Sequence, residues 1–168
     1  MPETRIPDPT LMARLQLSVT GIDWAASLVA PWQHESVEGE WPPNAQLWHL
    51  LAVERENFQP RIKAVLSEDR PALQRWDSEG RLADERPAVD IQEYAAQFMV
   101  EREKTVALLT GLTPEQWQRT GTWPDGNEVD LAWVAEKVLW HGLDHFALLL
   151  DLHQEYDHRH ARRWTGST

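Results

Sequence analysis

Between Leu131 and Leu152 the apolar residues Leu131, Val134, Val138, Leu149 and Leu152 recur at the spacing of one helical face, and His141 and His145 fill the missing positions of that stripe. The pattern requires a helix packed against other elements. It also carries two imidazoles inward where leucines are expected, and burying them needs two sets of polar partners. Residues four apart stand one turn apart on the same face, close enough for both rings to bind one metal ion. A lone histidine on an apolar face is more often a satisfied core residue. A pair at this spacing makes a metal the competing reading, and a third ligand decides between them.

Other segments share the helical period. Asp8 before Pro9 reads as an N-cap, and Leu11, Leu15, Val19, Ile22, Ala26 and Val29 form one face, so helix one is expected over about residues 8–30. Gly39 and the adjacent Pro42 and Pro43 end it. Asn44 then reads as the cap of helix two, which Leu47, Leu50, Leu51, Phe58, Ile62 and Val65 carry to about Leu66. Asp90 and Glu93 form a pair like a capping box before helix three, with Ile91, Tyr94, Ala95, Phe98, Met99, Val106 and Leu109 on its face. Thr113, Pro114 and Glu115 restart a short turn, and helix four runs over about residues 130–155. Residues 67–89, charged and broken by Pro71, Gly80 and Pro87, read as a long connection. No segment alternates with the period of a half-buried strand. The expectation is an all-α four-helix bundle with a long crossover between helices two and three, in a single domain of residues 1–168. Its helical core covers about residues 8–155, and the polar tail 156–168, with His158 and His160, is expected to be loose.

Composition narrows the chemistry. The 168 residues contain no cysteine, so metal ligands must be His, Asp or Glu, and any thiol chemistry needs a thiol from outside the chain. The net charge of −11 is spread along the chain, which argues against a nucleic-acid partner. No apolar run approaches the roughly 20 residues needed to span a bilayer, and the amino terminus lacks an apolar signal region. No membrane partner and a cytoplasmic location are therefore expected. Of the ten tryptophans, Trp24, Trp48, Trp76, Trp117, Trp123, Trp133 and Trp140 are read as mostly core or pocket walls.

Helix two offers the third ligand. His49 stands near its start, beside Ala45 and Ala52, which leave space for a site, whereas His34 falls in a loop and His153 on an outward position. Bundles build sites from side chains on facing helices. Three neutral imidazoles would leave a divalent ion, zinc or nickel, with its charge uncancelled and a position open, the pattern of a catalytic centre. Arg102, on the inner stripe of helix three, is open to two roles: an ion pair with Glu54 or another carboxylate, or a grip on an anionic group of substrate or thiol.

Trp48-His49-Leu50 with Glu54 five residues after the histidine, Phe98 and Arg102, Gly111-Leu112 before Trp117, and His141 with His145 occur in an order that resembles the DinB/YfiT-like proteins over about residues 8–155. The resemblance implies a four-helix metalloprotein with His49, His141 and His145 as its triad. It further implies a small-molecule substrate, a metal-dependent hydrolase or an S-transferase using a low-molecular-weight thiol such as bacillithiol, mycothiol or glutathione, and a homodimer. Two positions depart from the pattern: Asp144, read as a solvated charge, stands where a histidine often precedes the last ligand, and Leu148 where a glutamine often follows it. The alternatives are a non-catalytic metal-binding stress-response or structural protein, and a bundle whose histidines are merely hydrogen-bonded.

Overall fold

At the amino end the Asp8 side chain accepts a hydrogen bond from the Thr10 backbone N–H, closing a turn, and helix α1 (Leu11–Val29) starts from Thr10 rather than Asp8. A 3-10 turn (Ala30–Trp32) follows. The molecule is seen in a computed structural model that describes residues 6–37, 39–77 and 88–165, without the side chains beyond residue 161. Much of the long connection expected between helices two and three, residues 78–87, lies outside the described residues.

Helix α2 (Pro43–Val53) opens on Pro42 and Pro43, whose ring-fixed φ suits a first turn. Asn44, expected as its cap, is buried and donates to the Gln33 side chain and the Val89 carbonyl, tying α2 to the residue just before Asp90. A π turn (Glu54–Phe58) joins α2 to α3 (Gln59–Ser67), with the Gln59 N–H donating to the Glu54 carbonyl five residues back. Pro60 accounts for the wider turn: it has no N–H, and in a regular helix its ring would press on the carbonyl four residues earlier.

Asp90 caps α4 (Ile91–Leu109) by accepting from the Gln92 N–H, while Glu93 accepts from Gln97, so the expected capping box does not form. The short α5 (Pro114–Trp117) does have one, between Thr113 and Gln116. Strands β1 (Thr120–Thr122) and β2 (Glu128–Asp130) pair antiparallel, three residues each, too short for an alternating pattern to show. Helix α6 (Leu131–Thr165) runs well past the expected end, so the stretch after Tyr156 is helical rather than a loose tail. Trp32 provides the surface for the extension, stacking on Tyr156 and His160, with the Tyr156 hydroxyl donating to the Glu35 carbonyl. His153, expected to be solvated, is half-buried with its ring 6.5 Å from that of Trp32.

Each of α1 and α4 packs on the other; α1 also packs on α6, and α4 on the α2–α3 rod, which leaves α1 diagonal to α2. The seam between the α2–α3 rod and α6 is the thinnest of the four. Two apolar clusters fill the interior, one around Leu15, Ile62, Leu109 and Val138 and the other around Ile22, Leu50, Phe98 and Leu149. Full burial of each such side chain contributes roughly 1.5–3 kcal/mol. Where the clusters meet, Arg102 is buried in a two-pronged ion pair with Glu54, at 2.7 and 3.1 Å, and also donates to the Ser18 hydroxyl at 3.0 Å. Among the described residues no helix is long and apolar enough to cross a membrane.

Candidate metal centre

The histidine stripe of α6 meets His49 of α2 across the thin seam. His49 Nε2 and His141 Nε2 lie 3.1 Å apart, and one ring nitrogen from each of His49, His141 and His145 falls within 4.8 Å of the other two. Two imidazole nitrogens bound tetrahedrally to zinc at about 2.0–2.1 Å would stand about 3.3 Å apart, so the His49–His141 spacing is already that of a shared ion. A hydrogen bond between those two rings gives no partner to His145, and the buried Nδ1 atoms of His49 and His145 are both unpartnered. Three nitrogens facing one cation require no proton between them. The donor set therefore fits a divalent ion better than it fits a hydrogen-bonded histidine cluster.

Electrostatics favour the same state. Burial pushes His49 down to about 4, helped by His145, and burial alone pushes His145 to about 4. His141 falls to about 2 through burial first, then the neighbouring His145 and His49. All three are neutral at pH 7, the form that binds metal. Phe58 and His141 meet edge to face with ring centres 5.6 Å apart, and the ring centres of Trp41 and Trp76 lie 5.3 and 5.9 Å from that of His49, so the cluster is held among aromatic rings.

His49 and His141 open onto a pocket of about 440 Å³, whose wall includes Phe58, Trp76 and Trp123. Trp76 is carried there by a strap: the Leu73 N–H donates to the Thr122 carbonyl and the Thr122 N–H to that of Pro71. Gly121 allows this approach, since a Cβ would come within 3.1 Å of the Pro71 carbonyl. Trp48 and Trp117 are core residues, whereas Trp24 and Trp140, expected inside, are exposed. His34 and Asp144 are exposed, as expected. Of the two roles open to Arg102, the structure displays the ion pair with Glu54, and Arg102 does not line the pocket beside the histidines.

Sequence reading missed Arg61 and Lys137, which also line this pocket. Lys137 precedes His141 by one turn, a spacing open to inspection from the start. Arg61 was hidden by register. Twelve residues after His49, it would stand roughly a third of a turn off the His49 face in a regular helix. The π turn absorbs one residue, so twelve steps behave as eleven, about three turns at 3.6 residues each, and Arg61 returns to the His49 side. Pro60 was the available signal.

The model of the DinB superfamily matches residues 25–149, about three quarters of the chain and all three histidines. A curated protein of Halalkalibacterium halodurans, named "Putative metal-dependent hydrolase", is 29% identical over 104 residues, which cover 61% of this chain and 60% of that protein. The match thus spans less than two thirds of that relative's length. YfiT from Bacillus subtilis, described as a "probable metal-dependent hydrolase with an unusual four-helix bundle topology", superposes with a TM-score of 0.82 over 94% of this chain and 93% of its own, at 22% identity. Its likeness establishes the fold, and the family match, extending from α1 to α6, establishes that this chain belongs to the DinB superfamily.

Proposed function

We propose that the protein is a metal-dependent enzyme acting on a small molecule, with His49, His141 and His145 holding one divalent ion, zinc or nickel, and with hydrolysis or transfer of a low-molecular-weight thiol as its reaction. The observation that carries this reading is the convergence of three neutral imidazoles, two of which, His49 and His141, line a 440 Å³ pocket. No carboxylate belongs to the cluster among the described residues, so the ligand set cancels none of the ion's charge. A divalent ion held there supplies Lewis acidity and lowers the pKa of a water or a thiol brought to it. The chain contributes the rest: the aromatic residues Phe58, Trp76 and Trp123 wall one side of the reacting groups against water, and the placement of the histidines on two facing helices fixes the direction of approach. The name borne by the Halalkalibacterium relative favours hydrolysis. The absence of cysteine from the chain means that a transferase reaction would take its thiol from solution.

Elemental analysis of untagged protein tests the metal, with one equivalent per chain expected. Activity is then sought with the loaded protein on ester and amide substrates, and on electrophiles with the three thiols above. A chain that binds no divalent ion, or binds it undiminished after His141→Ala, would overturn the reading. We further propose a homodimer formed through exposed apolar residues of α1 and α6, Leu17, Trp24, Trp140 and Leu143. A monomer in light scattering at all working concentrations would refute it.

A further inference from the structure

Arg61 is a buried cation that no carboxylate of the described chain neutralises. It is only 8% exposed, its Nη2 donates to the Gln74 carbonyl at 2.7 Å, its guanidinium lies 4.1 Å over the Trp123 ring, and its buried Nε has no partner. Burial lowers its pKa with no opposing ion-pair contribution. Removing a guanidinium from water without a counter-charge is costly, so a buried arginine of this kind is expected to have an anion supplied from elsewhere. The pocket it lines is the one that receives His49 and His141. Arg75 and Lys137 line it too, and among the described residues these three cations face one carboxylate, Asp125, in a chain whose net charge is −11. A cationic, aromatic-walled pocket in an acidic protein focuses anions selectively.

We infer that the substrate is an apolar or aromatic small molecule bearing an oxyanion, a carboxylate or a phosphoryl group, which Arg61 binds while Trp76 and Trp123 pack against its body and the reacting bond faces the histidine centre. This names the substrate class of the site proposed above and rests on that reading for the reaction, though the anion contact itself requires only Arg61. A planar guanidinium already stacked on an indole is preorganised for two-pronged oxyanion recognition.

The test is calorimetric titration of the folded protein, zinc-loaded and zinc-depleted, with phenylacetate, phenyl phosphate and the neutral phenylacetamide. Zinc binding is measured separately, before any probe is added. The wild type is expected to bind at least one anion about tenfold or more tightly than the amide even without zinc, because a charge-assisted hydrogen bond is made only with the anion. The stronger of the two anions then tells carboxylate from phosphoryl. Arg61→Gln should abolish this preference in the zinc-depleted protein while leaving zinc stoichiometry unchanged. Equal binding of amide and both anions by the zinc-depleted wild type would overturn the inference whether or not any variant folds, and so would a preference that survives Arg61→Gln. A wild type that binds no zinc yet keeps an Arg61-dependent preference would overturn the metal reading and leave the anion site standing.

Discussion

Arg102 and Arg61 are both buried, yet the protein treats them differently. Arg102 sits where the two apolar clusters meet, with both carboxylate oxygens of Glu54 and the Ser18 hydroxyl taking its N–H groups. Arg61 sits at the wall of the histidine pocket with a single carbonyl and an indole face for partners. The first has a charge complement within the chain, which makes it part of the fold. The second is incomplete without a ligand, which makes it part of the site. Burial of a charged side chain therefore points to function only when the accounting of its partners comes up short.

The largest difference between the two arginines is expected at Glu54. Replacing it with glutamine leaves Arg102 buried beside a neutral group and is expected to cost about 3–5 kcal/mol of stability, measured by urea unfolding. Adding Arg102→Met should restore much of the loss, because the penalty comes from the stranded charge. A Glu54→Gln protein as stable as the parent would show that the pair is not structural.

Next in size is His141→Ala. Loss of one of three ligands should weaken zinc binding by more than about 100-fold, since even removal of groups that merely orient a ligand costs 10- to 100-fold. The same change at His34 should leave binding intact. Circular dichroism of both variants should remain helical, because the apolar clusters do not depend on the ion.

Acidification sharpens the contrast. His49 and His145 titrate at about 4 in the folded chain against 6.5 for an ordinary histidine, so between these values the unfolded chain binds more protons than the folded one. The zinc-free protein should therefore lose stability as pH falls from about 6.5 toward 4 and show no histidine-linked change above about pH 7.5. His141, at about 2, extends the loss lower still. Thermal unfolding across a pH series checks this, and a midpoint that rises on acidification would contradict the neutral burial of the cluster.

The smallest effect is expected at Arg61. Since Arg61→Gln removes an uncompensated charge along with one hydrogen bond and a cation–π contact, the two nearly offset and stability should change by less than about 1 kcal/mol. A loss as large as that of Glu54→Gln would place Arg61 with Arg102 among the structural residues.

What the sequence determined by itself is what local periodicity and residue chemistry can encode. Apolar spacing specified four long helices, and the histidine gaps in the last of them, with His49 as the third candidate, were legible because i and i+4 share a face in any regular helix. The same residues carried the resemblance to the family that the chain proved to belong to. Tertiary structure decided whatever depends on partners distant in sequence. Trp32 lengthened α6 by stacking on Tyr156 and His160, turning an apparent tail into helix. Glu54 completed Arg102 across 48 positions of chain, a pairing that spacing offered only as one of two roles. Above all, the π turn changed the face that Arg61 presents: Pro60 marks where a regular helix is strained, but the sequence does not state whether the backbone answers with a kink, an end or one extra residue in a turn. In the folded chain the turn is taken with Glu54 and Phe58 both buried, and it brings Arg61 round to the pocket of His49.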